Sequence, residues 1–231
     1  AEQRQLFQDI NLSLIISKIA TALTALVGNT GLIFLYIFFI FLEQKYFHRK
    51  FIALMSESHR YEEIMQLMSR LDKDVRTYIG IKTLISAFTG VLGYIVMSLF
   101  GLNFAEFWAF FLFIFNYIPN IGSMVATILP SLLALIQYDT LKPFFIVFVG
   151  IMTVQMIMAN FIEPRLMGKS LNLSPLVIIL SLVLWGTIWG IPGMFLCVPF
   201  TVISTIVLSH FPKTRPIAIL LSKEGKLKYG R

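Results

Sequence analysis

The stretch Asn116–Pro130, NYIPNIGSMVATILP, places two prolines, a glycine and two asparagines inside an apolar run that covers residues 104–137. Proline lacks a backbone N–H donor and clashes with the preceding helical turn, and the residue before it avoids helical angles. We therefore predict that a helix starting near Phe104 ends at about Ile118. Asparagine and glycine suit the turn that follows. A second helix, kinked at Pro130, completes a helix–break–helix hairpin.

The composition places this hairpin in a membrane. Hydrophobic residues make up 57% of the 231 residues and charged residues only 13%, whereas a soluble domain carries about 25% charged residues. Between Lys82 and Lys142 the only charged residues are Glu106 and Asp139. A bilayer must therefore be the solvent for most of the chain. The sequence predicts an all-α, polytopic membrane helix bundle.

The polar and apolar segments divide the chain into four predicted parts. An N-terminal amphipathic segment and a first span occupy residues 1–42, and residues 43–77 form a cytoplasmic amphipathic helix. A transmembrane core follows at residues 78–211, with a basic cytoplasmic tail at residues 212–231. Full spans are predicted at residues 22–42, 78–100 and 143–162.

A second broken segment, residues 174–209, repeats the design of the first. The sequence WGTIWGIPG, Trp185–Gly193, interrupts it, and Pro192 and Gly193 mirror the proline and glycine of the first break. Residues 78–137 and 143–209 then form two units, each a span plus a hairpin. If residues 43–77 are cytoplasmic, the units are inverted relative to each other, which is typical of secondary transporters. Two complete crossings in place of the hairpins are the alternative.

Backbone groups exposed at the two breaks cannot face lipid, so they are buried in protein or line a watery cavity where they bind a polar solute. Amide side chains inside a membrane also require partners. A plain kink or a surface turn is the alternative interpretation. The predicted solute-binding residues are Asn116, Pro119, Asn120, Gly122, Gln155, Asn160, Glu163, Arg165, Gly190, Pro192 and Gly193.

Two motifs allow more than one interpretation. In ANFIEPRLMGK, Glu163 carries a proton or cation during transport, or it anchors a helix end together with Arg165 near lipid phosphates. Gly186 and Gly190 form a G-x-x-x-G pair on one helix face, which permits close helix contact within a protomer or between subunits. Gln155 and Asn160 are predicted to be buried polar residues of the third span.

Several functional classes are not expected. The sequence contains no H-E-x-x-H, G-x-S-x-G or G-x-x-x-x-G-K-[ST] signature, so we predict neither an enzyme nor a bound cofactor or metal. The net charge of +7 lies in segments where membrane topology places basic residues, so nucleic acid is not an expected partner. The single cysteine, Cys197, excludes an internal disulfide.

Three stretches, FFIFLE, YIPNIGSMVATILPSLLALIQ and NFIEPRLMGKSLNLSPLVIILSLVLWGTIWGIPGMFLCVPF, resemble the autoinducer-2 exporter (AI-2E, PerM-like) family of bacterial multi-pass membrane proteins. The resemblance covers residues 31–210 and corresponds to the later part of the family's chain. The positions that match the family are Pro119, Gly122, Asn160, Glu163, Pro164, Gly168, Pro175, Gly190, Gly193 and Pro199.

The resemblance implies a permease of the bacterial inner membrane that exports a small polar signal such as autoinducer-2. Sodium(lithium)/proton antiport is an alternative that it also implies. A non-transporting oligomeric scaffold or passive pore is the third hypothesis. The expected partners are membrane lipids, a small polar solute or a monovalent cation and proton, and further copies of the chain in a homo-oligomer.

Overall fold

The computed structural model describes residues 35–44, 46, 50, 61–167 and 172–225. The chain divides into two compact units, Ala1–Glu62 and Glu63–Arg231. In the first unit, helix α1 (Leu35–Gln44) is apolar, and Lys50 Nζ donates to Glu43 Oε1 at 2.6 Å in an exposed ion pair. The predicted N-terminal amphipathic segment, most of the first span, and Gly168 lie outside the described residues.

The described residues of the second unit are almost entirely helical, and the all-α prediction is confirmed. Four of its helical segments are long and apolar enough to cross a membrane, so the chain is a multi-pass membrane protein. The elements from residue 61 onward are α2 (Tyr61–Leu99), α3 (Ala105–Phe115), α4 (Ile121–Tyr138), α5 (Leu141–Ile157), a π-helical segment (Met158–Ile162), α6 (Glu163–Met167), α7 (Pro175–His210) and α8 (Arg215–Leu221).

Helix α2 is continuous for 39 residues and passes from polar to apolar sequence without a break. It contains no proline, and Gly80, the first glycine along it, lies in open space and keeps a helical backbone. The predicted second span and the last part of the predicted cytoplasmic helix therefore belong to one rod. The predicted third span is also longer in the structure than expected. Its helical segment continues past Ile162, the predicted last residue, to Met167.

The first hairpin consists of α3, a tip at residues 116–120, and α4. The break is where the sequence predicts it, but α3 ends at Phe115 rather than Ile118. The N–H groups of Tyr117 and Ile118 bond to carbonyls only three residues earlier, so the last turn tightens before Pro119. Asn120 then takes a φ of 58° and starts α4, which runs through Pro130 as one helix.

The second hairpin is α7, which bends back on itself at Gly190. This glycine has φ 65° and ψ −141°, a conformation that L side chains rarely adopt. The two arms, residues 175–189 and 191–210, pack together, with the rings of Trp185 and Phe200 4.8 Å apart. The prediction of one helix face carrying Gly186 and Gly190 is wrong, because Gly190 leaves the helix. Gly186 instead packs against Met194 across the hairpin.

The first hairpin opens at the end of the bundle where α2 stops. Gln137 Nε2 donates to the Gly101 carbonyl at 2.9 Å, and its Oε1 accepts from the Asn103 N–H at 2.8 Å. Tyr138 Oη donates to the Phe100 carbonyl at 2.6 Å. These bonds tie the start of α3 to the end of α4, and we call this side the Gln137 end.

The second hairpin opens at a different place, which we call the Ser174 end. The Ser174 N–H donates to the Leu221 carbonyl at 3.1 Å, and the Lys223 N–H donates to the Asn172 carbonyl at 3.2 Å. The residues before α7 therefore meet those that follow it through α8. Both arms of α7 start and finish on this side.

The two ends lie on opposite sides of the bundle. The helical segment Leu141–Met167 starts at the Gln137 end and is 27 residues long, or about 40 Å at 1.5 Å per residue. It runs antiparallel to α2, because Gly150 packs against Val96 while Glu163 meets Lys82. The hairpins therefore open on opposite sides of the bundle, while the inverted repeat itself stays a prediction.

Candidate functional site

A partly buried ion pair lies where α2 meets the last turns of the α5–α6 segment. Lys82 Nζ donates to Glu163 Oε1 at 2.9 Å and to Oε2 at 3.1 Å. The Lys82 side chain is 8% exposed and that of Glu163 is 25% exposed. Charged side chains within membrane segments are rare because they are costly, and those that occur mark solute paths, relays or structural pairs. This pair is therefore the starting point for a functional site.

Glu163 follows directly after the π-helical segment Met158–Ile162. A π-helical turn contains an extra residue relative to an α-helical turn, and it changes which side of the helix the next residues occupy. Glu163 consequently faces α2, whereas Asn160 inside the segment is exposed. The prediction that Asn160 is buried is therefore wrong, while the matching prediction for Gln155 is confirmed.

The face of α2 that carries Lys82 is polar for several turns. Tyr78, Lys82, Ser86 and Thr89 follow one another at steps of four, four and three, and all are buried. Residues at those steps share one side of an α-helix. Thr89 Oγ1 donates to its own helix at the Ile85 carbonyl, 2.8 Å away. Of the remaining three, Lys82 bonds to Glu163 on α6, whereas Tyr78 and Ser86 face the hairpins.

The tip of the first hairpin is bonded to this region of α2 through side chains. Asn116 Nδ2 donates to Ser86 Oγ at 3.0 Å, and the hydroxyls of Tyr117 and Thr83 are 2.7 Å apart. Thr83 uses its own hydrogen to bond the Ile79 carbonyl. The Tyr117 hydroxyl must therefore be the donor to Thr83. The predicted partner for Asn116 exists, and it lies on α2.

The second hairpin reaches the same place from the opposite side. The ring of Phe195 stacks on Tyr117 with centroids 5.9 Å apart and planes at 27°. Tyr78, Ile118 and Cys197 belong to one buried cluster, so α2, the first tip and the second hairpin share a core there. The tip regions of both hairpins thus meet beside the helix that carries Lys82.

Gln155 lies in a separate polar contact between α5 and α4. Its Nε2 donates to the Ser123 carbonyl at 3.0 Å and to Thr127 Oγ1 at 2.9 Å. Thr127 donates in turn to the Ser123 carbonyl at 2.8 Å. Gln155 therefore holds α5 against α4 and does not contact the Lys82–Glu163 pair.

The predicted solute-binding residues thus divide into four groups. Asn116 and Glu163 come together on α2, and Gln155 binds α4. Gly122 and Gly193 are buried within their hairpins, with Pro119 half-buried beside the first. The exposed members are Asn120, Asn160, Arg165, Gly190 and Pro192.

Sequence reasoning missed the α2 side of the site, namely Tyr78, Lys82, Thr83 and Ser86, as well as Tyr117. A signal was present, since a lone lysine four residues inside an apolar span is a functional candidate by default. In the sequence, Lys82 stands out only as the border of a long apolar run. Within the described ranges no three His, Cys, Asp or Glu side chains are grouped so as to hold a metal ion.

Residues 1–213 match the family model for AI-2E family transporters. The chain belongs to the AI-2E transporter family. This match covers α1 to α7, including both hairpins and the Lys82–Glu163 pair. The family resemblance predicted from the sequence is confirmed, as are the transport and permease terms that accompany it.

The sequences of individual relatives agree with this family assignment. The AI-2 transport protein TqsA of Escherichia coli K12 is 34% identical over 212 residues, which cover 92% of this chain and 60% of TqsA. A Borreliella burgdorferi protein is 32% identical over 220 residues, again 92% of this chain and 60% of the relative. YhhT of E. coli K12 is 35% identical over 154 residues, 67% of this chain and 44% of YhhT. The chain thus spans about 60% of the length of the first two relatives.

Proposed function

We propose that this chain forms the core of a secondary transporter that exports a small polar signal such as autoinducer-2 across the bacterial inner membrane. Membership of the AI-2E family supports the transport class, and the name of TqsA supports the substrate. The observation that carries the proposal is the meeting of two oppositely directed hairpins beside α2, the helix that bears Lys82. Opposed hairpins with broken helices are an arrangement by which secondary transporters hold solutes.

The chemistry of the junction suits an uncharged, hydroxyl-rich solute. Glu163 is an acceptor and Lys82 a donor, and the Lys82 ammonium has three N–H groups, of which the described bonds use two. The neighbouring Asn116–Ser86 and Tyr117–Thr83 bonds join neutral groups. A solute with several hydroxyls replaces such bonds without leaving a polar group unpaired, which keeps its entry inexpensive.

Opening the junction requires the hairpins to part. The first tip is attached to α2 by two side-chain hydrogen bonds and to Phe195 by ring stacking. We infer that these contacts break when the junction opens toward one side of the membrane. They re-form before the junction opens toward the other side, which gives alternating access. The inverted directions of the hairpins make the two movements equivalent.

The proposal is tested with the purified chain reconstituted in liposomes, with flux of radiolabelled autoinducer-2 as the readout. Lys82→Met and Glu163→Gln are each expected to lower flux about tenfold or more, because each leaves the other member of the pair as a charge without its counter-ion. The double variant Lys82→Met/Glu163→Gln removes both charges and is expected to regain thermal stability but not flux. The matched control is Lys142→Met, because Lys142 is an exposed lysine at the Gln137 end.

Two outcomes oppose the proposal. Flux of the double variant equal to that of the unaltered chain would remove the pair from the solute path. Flux that never saturates with solute concentration would favour a passive pore in place of a transporter.

Sodium(lithium)/proton antiport is a second candidate that one observation favours. Glu163 is more exposed than Lys82, at 25% against 8%, so a cation can approach the carboxylate from the side away from the lysine. The test is sodium-driven proton movement in proteoliposomes, followed with a pH-sensitive dye. Glu163→Gln should abolish this movement, whereas retention of sodium-coupled proton flux in that variant would exclude Glu163 as the exchanging group.

A further inference from the structure

Helix α8 forms a short platform at the Ser174 end, apart from the junction of the two hairpins. It follows the second arm of α7 after a turn in which Thr214 Oγ1 donates to the Leu208 carbonyl at 2.8 Å. Its last residue, Leu221, accepts the Ser174 N–H at 3.1 Å, and Ser222 pairs with Leu173 in an isolated antiparallel bridge. These backbone bonds fix α8 across the open end of the second hairpin.

The two faces of α8 differ in exposure. Ala218 is fully buried against the bundle, whereas Leu220 is 79% exposed and Ile217 is 48% exposed. An outward apolar face on a helix this short has too little area to bind another folded protein stably by itself. Such a face is well matched to the boundary between headgroups and acyl chains, where interfacial helices bury their apolar side by about 5–10 Å.

Positive charge surrounds this apolar face. Lys213 and Lys223 flank α8 and are exposed, and Arg215 is its first residue and half-buried. Glu224 is the single acidic residue among residues 211–225, against those three basic ones. Exposed apolar side chains combined with an excess of lysine and arginine are the features that favour an anionic membrane surface.

We propose that α8, with Lys213, Arg215 and Lys223, is a binding surface for anionic phospholipid headgroups at the Ser174 end. Leu220 and Ile217 insert below the headgroups while the three basic side chains contact the phosphates. Because α8 is bonded to the residues that precede α7, lipid bound there also holds the base of the second hairpin. This inference does not depend on the transported solute.

The test measures retention of phosphatidylglycerol by the intact chain. The protein is purified in a neutral detergent, mixed with equal amounts of phosphatidylglycerol and phosphatidylcholine, and examined by native mass spectrometry. The unaltered chain is expected to retain phosphatidylglycerol preferentially. The triple variant Lys213→Gln/Arg215→Gln/Lys223→Gln should lower that preference on the order of tenfold or more, because each basic side chain near the surface contributes separately.

Matched variants separate charge from folding and from position. The charge-preserving pair Lys213→Arg/Lys223→Arg should retain the preference, and Lys142→Gln at the opposite end should leave it unchanged. Leu220→Ser should weaken retention of both lipids. The proposal is overturned if the triple variant keeps the preference for phosphatidylglycerol, or if Lys142→Gln lowers it as much as the triple variant does.

Discussion

Gly122 and Gly193 occupy equivalent positions in the two hairpins, each with its Cα against a carbonyl oxygen of the arriving helix. A Cβ atom at Gly122 would overlap the carbonyl of Phe115, and one at Gly193 would overlap the carbonyl of Trp185. Both glycines are buried, and both come shortly after the residue with positive φ, Asn120 in one hairpin and Gly190 in the other. Both breaks thus pack a glycine against a backbone carbonyl of the preceding arm, although their sequences differ.

This close approach predicts that Gly122→Ala and Gly193→Ala are strongly destabilising. The overlapping partner is backbone, which cannot move aside as a side chain can, so each variant should lose about 1–3 kcal/mol or more. Thermal unfolding in detergent measures the loss. Gly80→Ala is the matched control, because nothing lies within 4 Å of its added methyl group. It should be neutral or stabilising by about 0.5–1 kcal/mol, as alanine favours a helix interior. Equal melting temperatures for Gly80→Ala and Gly122→Ala would contradict the packing argument.

At Gly190 we expect the substitution by alanine to destabilise the protein for a different reason. Nothing lies within 4 Å of an added Cβ, so Gly190→Ala creates no clash. Its φ of 65° and ψ of −141° are instead unfavourable for any residue with a side chain, at a cost of about 1–3 kcal/mol. The melting temperature should fall, and proteolysis at the break should become faster as the arms open. A variant that unfolds at the temperature of the unaltered chain would show that the bend tolerates ordinary residues.

The contact between Tyr117 and Thr83 predicts a small, measurable coupling. Tyr117→Phe removes the donor, and Thr83→Val removes the acceptor together with the bond to the Ile79 carbonyl. Interhelical hydrogen bonds in membrane proteins average about 0.6 kcal/mol in double-mutant cycles. Unfolding free energies of the two single variants and the double variant should give a coupling of that size. Strict additivity would mean that the hydroxyls contribute nothing to holding the first tip.

The surroundings of Gln155 predict that the stability of the variant Gln155→Glu depends on pH. Its Nε2 donates to the Ser123 carbonyl, so the carboxylate of Gln155→Glu would place negative charge against an acceptor. Burial and that contact both make the ionised form of the new carboxyl costly in the folded state. The folded state therefore accommodates the protonated carboxyl better than the carboxylate, and stability should rise as pH falls from 8 to 5.

The measurement for Gln155 is the melting temperature at pH 5 and pH 8, relative to the unaltered chain at each pH. Gln155→Leu, which cannot titrate, is the control and should show the same difference from the unaltered chain at both values. A deficit of Gln155→Glu that is independent of pH would show that its carboxyl reaches solvent.

Several features of the fold follow from local chemistry and were predictable. Pro119 lacks an N–H and Gly190 has no Cβ, so both residues favour a break in the backbone. The local signal is not sufficient alone, because Pro130 lies within a continuous helix. The low charge content required a bilayer, and the all-α bundle followed from it. The sequence left open whether the two broken segments are hairpins or complete crossings. The error at Asn160 has a local cause as well, because a π-helical segment shifts the helix face and the hydrophobic pattern does not reveal it.

The sequence by itself determined where helices break and which segments enter the membrane, because backbone conformation and transfer from water depend on neighbouring residues. Only the tertiary structure decided which polar groups meet. Lys82 and Glu163 are 81 positions apart in the sequence. Asn116 bonds to Ser86, which lies on the preceding membrane helix, α2. Each of these groups is costly to bury alone and stable only beside its partner. The packing of the hairpins against α2 therefore assembled a site that neither segment contains.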